Sequence, residues 1–250
     1  MREQAGTMAV TGHRPWPPPD RPWVMAQSWH DLLFAHWRVP PEALRPVVHP
    51  AVPIDEFDGS AWIGVTPFKV EAHRPRLGPP PPVISSFLEC NVRTYATVGG
   101  KPGIWFFSLD AESRIAVRGA RRFWRLPYFL ARMDAERRGR AISYRTQRVS
   151  PDGPPAELDI TYAPVGPVAE PEPGSLEWFL TERYCLYTVD ERGVVHRGDI
   201  HHPPWPLQPA EAELRRNTMA EGLGLRLEGE PLLHFAARQD VPMWRIRPIG

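Results

Sequence analysis

Lysine, like cysteine and asparagine, occurs only twice in this chain. Of its 30 basic residues only Lys69 and Lys101 are lysines, and the rest are arginine. Codon bias and a preference for bidentate ion pairs account for this equally well. Few amines are therefore on hand to form an imine with a carbonyl compound. Cysteine is scarce too: Cys90 and Cys185 both sit in apolar, strand-like segments, where a reduced buried thiol is the expected state. The formal net charge is only +1, with both signs interspersed, so no global field draws the chain to nucleic acid or to an anionic membrane. No run of about 18 apolar residues is present, and the amino terminus lacks the apolar core of a secretory signal. The expected location is the cytoplasm. Nine histidines fall into no His-Glu-x-x-His or Cys-x-x-Cys pattern, so no metal site is expected. A Gly-x-Ser-x-Gly elbow and a glycine-rich phosphate loop are missing as well, and no cofactor is expected.

What the chain does have in quantity is proline, 32 residues of it, and ten tryptophans. Residues 1–24 are proline-rich and poor in apolar content, which predicts an extended or disordered segment with Trp16 or Trp23 resting on the body. Residues 25–250 read as a single domain. Trp29, Leu32, Leu33, His36 and Trp37 fit one helical face, yet the aromatic richness of the same stretch suits a buried strand. Pro40 and Pro41 end it, and Pro41 opens one helical turn. Ala61 to Val70 reads as a strand with a bulge or edge at Pro67. Phe87 to Thr97, a Gly99-Gly100 turn and Ile104 to Leu109 form a predicted hairpin.

Ser113 is a helix N-cap and Pro127 a helix stop, with Ile115, Ala116, Ala120, Phe123 and Trp124 on one stripe between them. Further hairpins are predicted over 128–149 and 184–200, a strand over Glu157 to Tyr162, and a helix from Leu176 to Arg183. A helix is expected at Ala210 to Glu221 and a closing strand at Val241 to Ile246. Roughly ten strands with two or three short helices describe a closed or sandwiched antiparallel sheet with helices at its mouth.

One strand face carries Phe87, Glu89, Asn91, Arg93 and Tyr95, polar enough to point at solvent or at a wet pocket. It precedes an arginine-rich helix. A pocket in which Glu89, Arg93, Arg121 and Tyr128 converge would favour an anionic ligand, because guanidinium pairs bidentately with carboxylate or phosphate. The alternative is solvated surface. Arginine-aromatic interleaving at Arg122 to Arg125 is read as core packing, and no nucleic-acid partner is expected.

Several ordered motifs add a resemblance. Leu33-Phe-Ala-His-Trp-Arg38, Pro41-Glu-Ala-Leu-Arg45, Glu89-Cys-Asn-Val-Arg-Thr-Tyr95, Phe106-Phe-Ser-Leu-Asp-Ala111, Leu126-Pro-Tyr128, Phe179-Leu-Thr-Glu-Arg-Tyr184 and His202-Pro-Pro-Trp-Pro-Leu207 resemble the YqjF-like family of uncharacterised bacterial proteins. The match runs from about Trp29 to Trp244. That family is distantly similar to acetoacetate decarboxylase. The resemblance implies a mainly β (α+β) fold: an antiparallel β-barrel or cone with a few short helices around a central pocket, and a strand at Trp29 to Arg38.

In the decarboxylase a helix with Gly-Arg-Glu leads to Pro-Lys-Lys, whose first lysine forms the imine. Ala120 to Phe129 lies over that motif, with Arg121 on its arginine, Pro127 on its proline, and Tyr128 and Phe129 in the two lysine positions. A phenol forms no imine, so the parent reaction is expected to be absent. Lys69 is left as a displaced nucleophile to be tested, though a surface lysine is the plainer reading. Glu89 falls on a pocket glutamate, while a second one falls near Gly64 or Thr66 and is lost. His30 falls near a pocket arginine, and His202 and Trp205 resemble a late His-x-x-Trp.

The expected function is binding of a small, anionic carboxylate or keto compound. Tyr128, Glu89 and His30 are the expected acid–base groups, and Arg121, Arg93, His202 and Trp205 the expected ligand contacts. The alternative is a non-catalytic ligand sensor or an oligomeric scaffold, and a homo-oligomer is compatible with either.

Overall fold

The computed structural model describes residues 2–82 and 84–249. Along the chain come α1 (Arg2–Gly6), β1 (Met25–Val39), α2 (Pro41–Leu44), β2 (Ala61–Pro75), β3 (Phe87–Val98), β4 (Lys101–Ala111) and α3 (Arg114–Trp124). They are followed by β5 (Tyr128–Arg138), β6 (Ala141–Arg148), β7 (Glu157–Pro164), α4 (Leu176–Thr181), β8 (Cys185–Val189), β9 (Val195–Asp199), β10 (Gln208–Asn217), β11 (Leu232–Met243) and β12 (Arg247–Pro248). The strands form one sheet in the order β12-β9-β8-β4-β3-β2-β1-β11-β10-β7-β6-β5, and β5 pairs back onto β4. That last pairing closes a ring through nine strands. The remaining three, β8, β9 and β12, branch off β4. No helix among the described residues is long and apolar enough to cross a membrane.

Local chemistry explains the elements that hold the ring. Gly99 and Gly100, at φ of 59° and 71°, make the two-residue turn that joins Val98 to its partner Lys101, a conformation glycine reaches without strain. The Ser113 hydroxyl accepts the Ala116 amide at 3.3 Å and caps α3. Gly103 is required where β8 runs beside β4, because a Cβ there would lie 2.7 Å from the Cys185 sulfur and 2.8 Å from its carbonyl oxygen. Both cysteines are free and buried.

The ring interior is an apolar core. Leu33, Val65, Cys90 and Val92 from β1 to β3 pack there with Ile160 and Tyr162 of β7. Tyr144 of β6 crosses it to donate a 2.8 Å hydrogen bond to the Glu89 carbonyl. Alternation along the strands then sends the intervening residues of β1 to β3 to the outer face.

Strand β1 carries an irregularity that decides how it reads. Between the pairs His30↔Lys69 and Ala35↔Val65, residues 31–34 face residues 66–68, so β1 holds an extra residue, and Asp31 takes φ 55°. Such a bulge switches the side-chain phase. Gln27 and Trp29 before it, and Leu32 and Phe34 after it, all face outward together. The spacing of Trp29 and Leu32 thus imitates a helix in what is a strand. Pro67 lies opposite, where the ladder is already interrupted, which is how a central strand tolerates it.

Three stretches differ from expectation. Ala210 to Glu221, expected as a helix, is mostly strand β10, paired with β7 from Ala210↔Pro164 to Asn217↔Leu158. Ladder pairing there outweighs the high helix propensity of its Ala, Glu, Leu and Arg residues. The closing strand begins at Leu232, well before Val241. At the amino-terminal end, residues 2–6 are helical, and Gln4 donates to Ser28 Oγ at 3.0 Å and accepts from Arg74 Nε at 2.6 Å. Arg14 is buried, bonded to the Ile200 carbonyl and His201. Trp16 does rest on Tyr184, and Trp23 lies beneath Arg74.

Candidate functional site

On the outer face of β1 to β3 lies a cavity of about 360 Å³. Helix α3, the start of β8 and residues 200–205 complete its wall. The odd residues of β3 bring Glu89, Asn91 and Arg93 to this face, while Leu88, Cys90 and Val92 turn into the core. Thr66 and Phe68 arrive in the same way from β2.

Glu89 is buried and accepts the Tyr128 hydroxyl at 2.9 Å. Burial pushes its pKa from 4.5 up to about 8, against the pull of the Tyr128 hydrogen bond and with a push from Asp110. The Tyr128 phenol is likewise driven well up, by burial first and by Glu89 second. At neutral pH the pair is therefore a carboxylic acid beside a phenol, two proton donors in an apolar site.

This arrangement has a consequence for stability. A carboxyl whose folded pKa exceeds its unfolded value stabilises the fold fully below pH 4.5, and that contribution is lost as pH rises through about 8. Glu89→Gln removes the loss and is expected to raise stability on the order of 3 kcal/mol at neutral pH, with little gain in acid. Urea unfolding of both proteins from about pH 5 to about pH 9 reads this out. Parallel pH profiles would sink it.

Arg93 is buried, its guanidinium 5.2 Å from the centroid of the Phe34 ring. It lies beside His36, whose pKa is held well down by burial and then by Arg93. Two other buried guanidinium groups have carboxylates at hand, Arg183 meeting Asp55 at 2.6 Å and Arg148 meeting Asp110 at 2.9 Å, while that of Arg14 is held by the Trp16 and Ile200 carbonyls. Among the described residues Arg93 has no carboxylate partner, and its Nε makes no hydrogen bond. Thr66 Oγ1, Asn91 Oδ1 and Trp205 Nε1, on the same cavity wall, are also buried without partners. A charge taken out of water needs compensation, and together these groups make this the polar end of the cavity.

The other expected site residues divide. His202 lines the cavity, but its Nδ1 lies 2.8 Å from the Pro203 carbonyl and its Nε2 3.3 Å from that of Arg183. Burial lowers its pKa to about 3. It is a neutral packing residue, stacked on Tyr184 at 4.6 Å. Trp205 lines the cavity against the Phe34 edge, and its backbone amide is held by Glu182 at 2.9 Å.

His30 and Arg121 are corrections. The Asp31 bulge leaves His30 out of the cavity lining, where it meets Glu71 at 3.5 Å on the surface. Helix α3 turns Ala116, Gly119, Ala120 and Phe123 to the cavity, and that phase sends Arg121 elsewhere. Its guanidinium pairs with Asp152 at 2.6 Å and donates to the Tyr128 carbonyl. It thus positions the Tyr128 backbone and lies outside the cavity lining.

Neither lysine lines the cavity: Lys69 pairs with Glu71 at 2.6 Å, and Lys101 sits over Trp16 at 5.7 Å. Thr66 and Asn91 were not expected as contacts, although the alternation of β3 already put Asn91 on the right face.

The fold is that of the acetoacetate decarboxylase-like proteins. The enduracididine biosynthesis enzyme MppR complexed with pyruvate superimposes with a TM-score of 0.67 at 12% identity, over 96% of this chain and 98% of that one. Acetoacetate decarboxylase from Legionella pneumophila gives 0.63 at 11% identity, over 98% and 95% of the two chains. At that identity the likeness is one of fold alone.

The chain itself belongs to DUF2071, a family described as an uncharacterized conserved protein, whose model matches residues 26–240. It is 46% identical over 230 residues to the uncharacterized protein YqjF of Bacillus subtilis (strain 168), covering 92% of this chain and 94% of that protein.

Proposed function

We propose that this chain binds a small carboxylate or keto compound in the cavity and moves a proton on it without forming an imine. The observation that carries the reading is Arg93, a buried cation on the cavity wall with no carboxylate partner among the described residues. A ligand carboxylate would supply that partner, with Asn91 and Thr66 within the same polar end. MppR, of similar fold, holds pyruvate in its solved structure, and this supports a keto acid as the ligand.

Glu89 and Tyr128 supply the chemistry. Glu89, protonated at neutral pH, donates to negative charge developing on the ligand's carbonyl oxygen while water takes the proton leaving the adjacent carbon, and the phenol holds the acid in place. Imine formation is set aside because the only lysines lie outside the cavity.

The test combines binding with turnover, using pyruvate and acetoacetate as probes. At about 100 times its Kd a bound acid raises stability by roughly 2.7 kcal/mol, visible as a thermal shift. Exchange of the hydrogens next to the ligand carbonyl, followed by NMR in deuterated water, reports proton transfer. Tyr128→Phe is expected to retain binding and slow exchange by about 100-fold. Binding without exchange in the wild type would favour a sensor, and no shift with any acid would overturn the reading.

A further inference from the structure

We infer that the ligand carries an extended apolar tail behind its acidic head: it is an amphipathic monocarboxylate, larger than butyrate. The inference rests on the anion-binding reading of Arg93 and concerns the rest of the same cavity.

Four buried polar side chains of the cavity are gathered at one end. Thr66, Glu89, Asn91 and Arg93, all buried, stand side by side on β2 and β3. Beyond them Phe68, Phe87 and Leu109 from the sheet and Met243 at the end of β11 make a mainly apolar wall, interrupted by Gln27 and His73, which pair with each other at 2.9 Å. At about 360 Å³ the space falls in the roughly 300–1,000 Å³ range that holds drug-sized ligands. A short acid would fill the polar end and leave the remaining walls in contact with water, which is unfavourable in proportion to their apolar area.

Helix α3 shows where the tail runs. Ile115 and Phe123 are 53% and 71% exposed although both line the cavity. Large apolar side chains so exposed on a cavity wall mark its mouth. Between them the same helix face carries only Ala116, Gly119 and Ala120, and a Cβ added at Gly119 would meet nothing within 4 Å. The small residues leave a slot along the helix. A polar pocket floor, an apolar slot and an apolar rim together match a carboxylate head followed by a hydrocarbon or aromatic tail.

The experiment is a calorimetric series of straight-chain carboxylates from acetate to decanoate, with octanol as the headless control. Wild type is expected to bind about four-fold more tightly for each methylene buried. Gly119→Leu fills the slot while placing a better helix former in α3. It should leave acetate and butyrate unchanged and abolish the gain for longer acids.

The outcomes separate the two claims. Short acids that bind with no gain along the series overturn the tail and leave the anion site standing. An undiminished gain in Gly119→Leu overturns the slot along α3. Failure of every acid to bind, or octanol binding as tightly as octanoate, overturns the anion reading beneath it.

Discussion

Replacing Arg93 by methionine is expected to weaken carboxylate binding by two to three orders of magnitude while leaving the empty protein at least as stable as the wild type. The two halves have one cause. In the empty protein the guanidinium is buried with no carboxylate partner among the described residues and its Nε unbonded, beside the Phe34 ring and the Tyr95 hydroxyl, so its desolvation is only partly offset. Methionine keeps much of the contact with the Phe34 ring and removes the charge. In the complex the reverse holds: a carboxylate buried at the polar end would lose its partner, a penalty of about 3–5 kcal/mol. Calorimetric titration measures the first effect and urea unfolding of the ligand-free protein the second. A variant that unfolds easily would make Arg93 a structural residue. One that binds as before would remove it from the site.

Asp110→Ala is expected to cost about 3–5 kcal/mol of stability, because it strands the Arg148 guanidinium inside the protein. Asp110 is wholly buried and accepts from Arg148 Nε at 2.9 Å, and the same guanidinium lies 4.1 Å from the Phe129 ring centroid. Burial raises Asp110 to about pKa 6 against the pull of Arg148, so the pair is ionised at neutral pH. Combining Asp110→Ala with Arg148→Met removes both charges and should recover a large part of the loss, which a double-mutant cycle in urea measures. A single-variant loss below about 1 kcal/mol would mean that the pair is merely adjacent.

Those particular residues also show how far the sequence can be read. The β3–β4 hairpin and helix α3 were legible because their signals are local: a glycine pair with positive φ, a serine cap and a proline stop. Strand β1 was ambiguous from periodicity because one inserted residue shifts its phase, and the family resemblance resolved it. The same bulge turned His30 away from the pocket to which the resemblance had assigned it. Arg121 was misplaced for a different reason. The apolar stripe Ile115, Ala116, Ala120, Phe123 and Trp124 is the face of α3 that lines the cavity, and Arg121 lies off that stripe.

Glu89 and Tyr128, 39 residues apart, fall into one candidate pocket through the polar face of β3 and the arginine-rich helix that ends at Pro127, and the resemblance adds a family position for each. Arg93 followed from strand alternation alone. Thr66 and Asn91 passed unassigned because a neutral polar residue in a strand carries no mark of burial. The helix expected at Ala210 failed where non-local pairing with β7 outweighed local preference.

The closure of the ring has a consequence for access. Strands β4 and β5 are joined by only three paired positions, Leu109↔Tyr128, Asp110↔Phe129 and Ala111↔Leu130, and the chain between them is helix α3 itself. The latch of the ring and the doorpost of the cavity are one stretch of backbone. Any movement of α3 pulls on the segment that keeps the ring shut. The Asp110–Arg148 pair, set at the middle of those three positions, is the bolt.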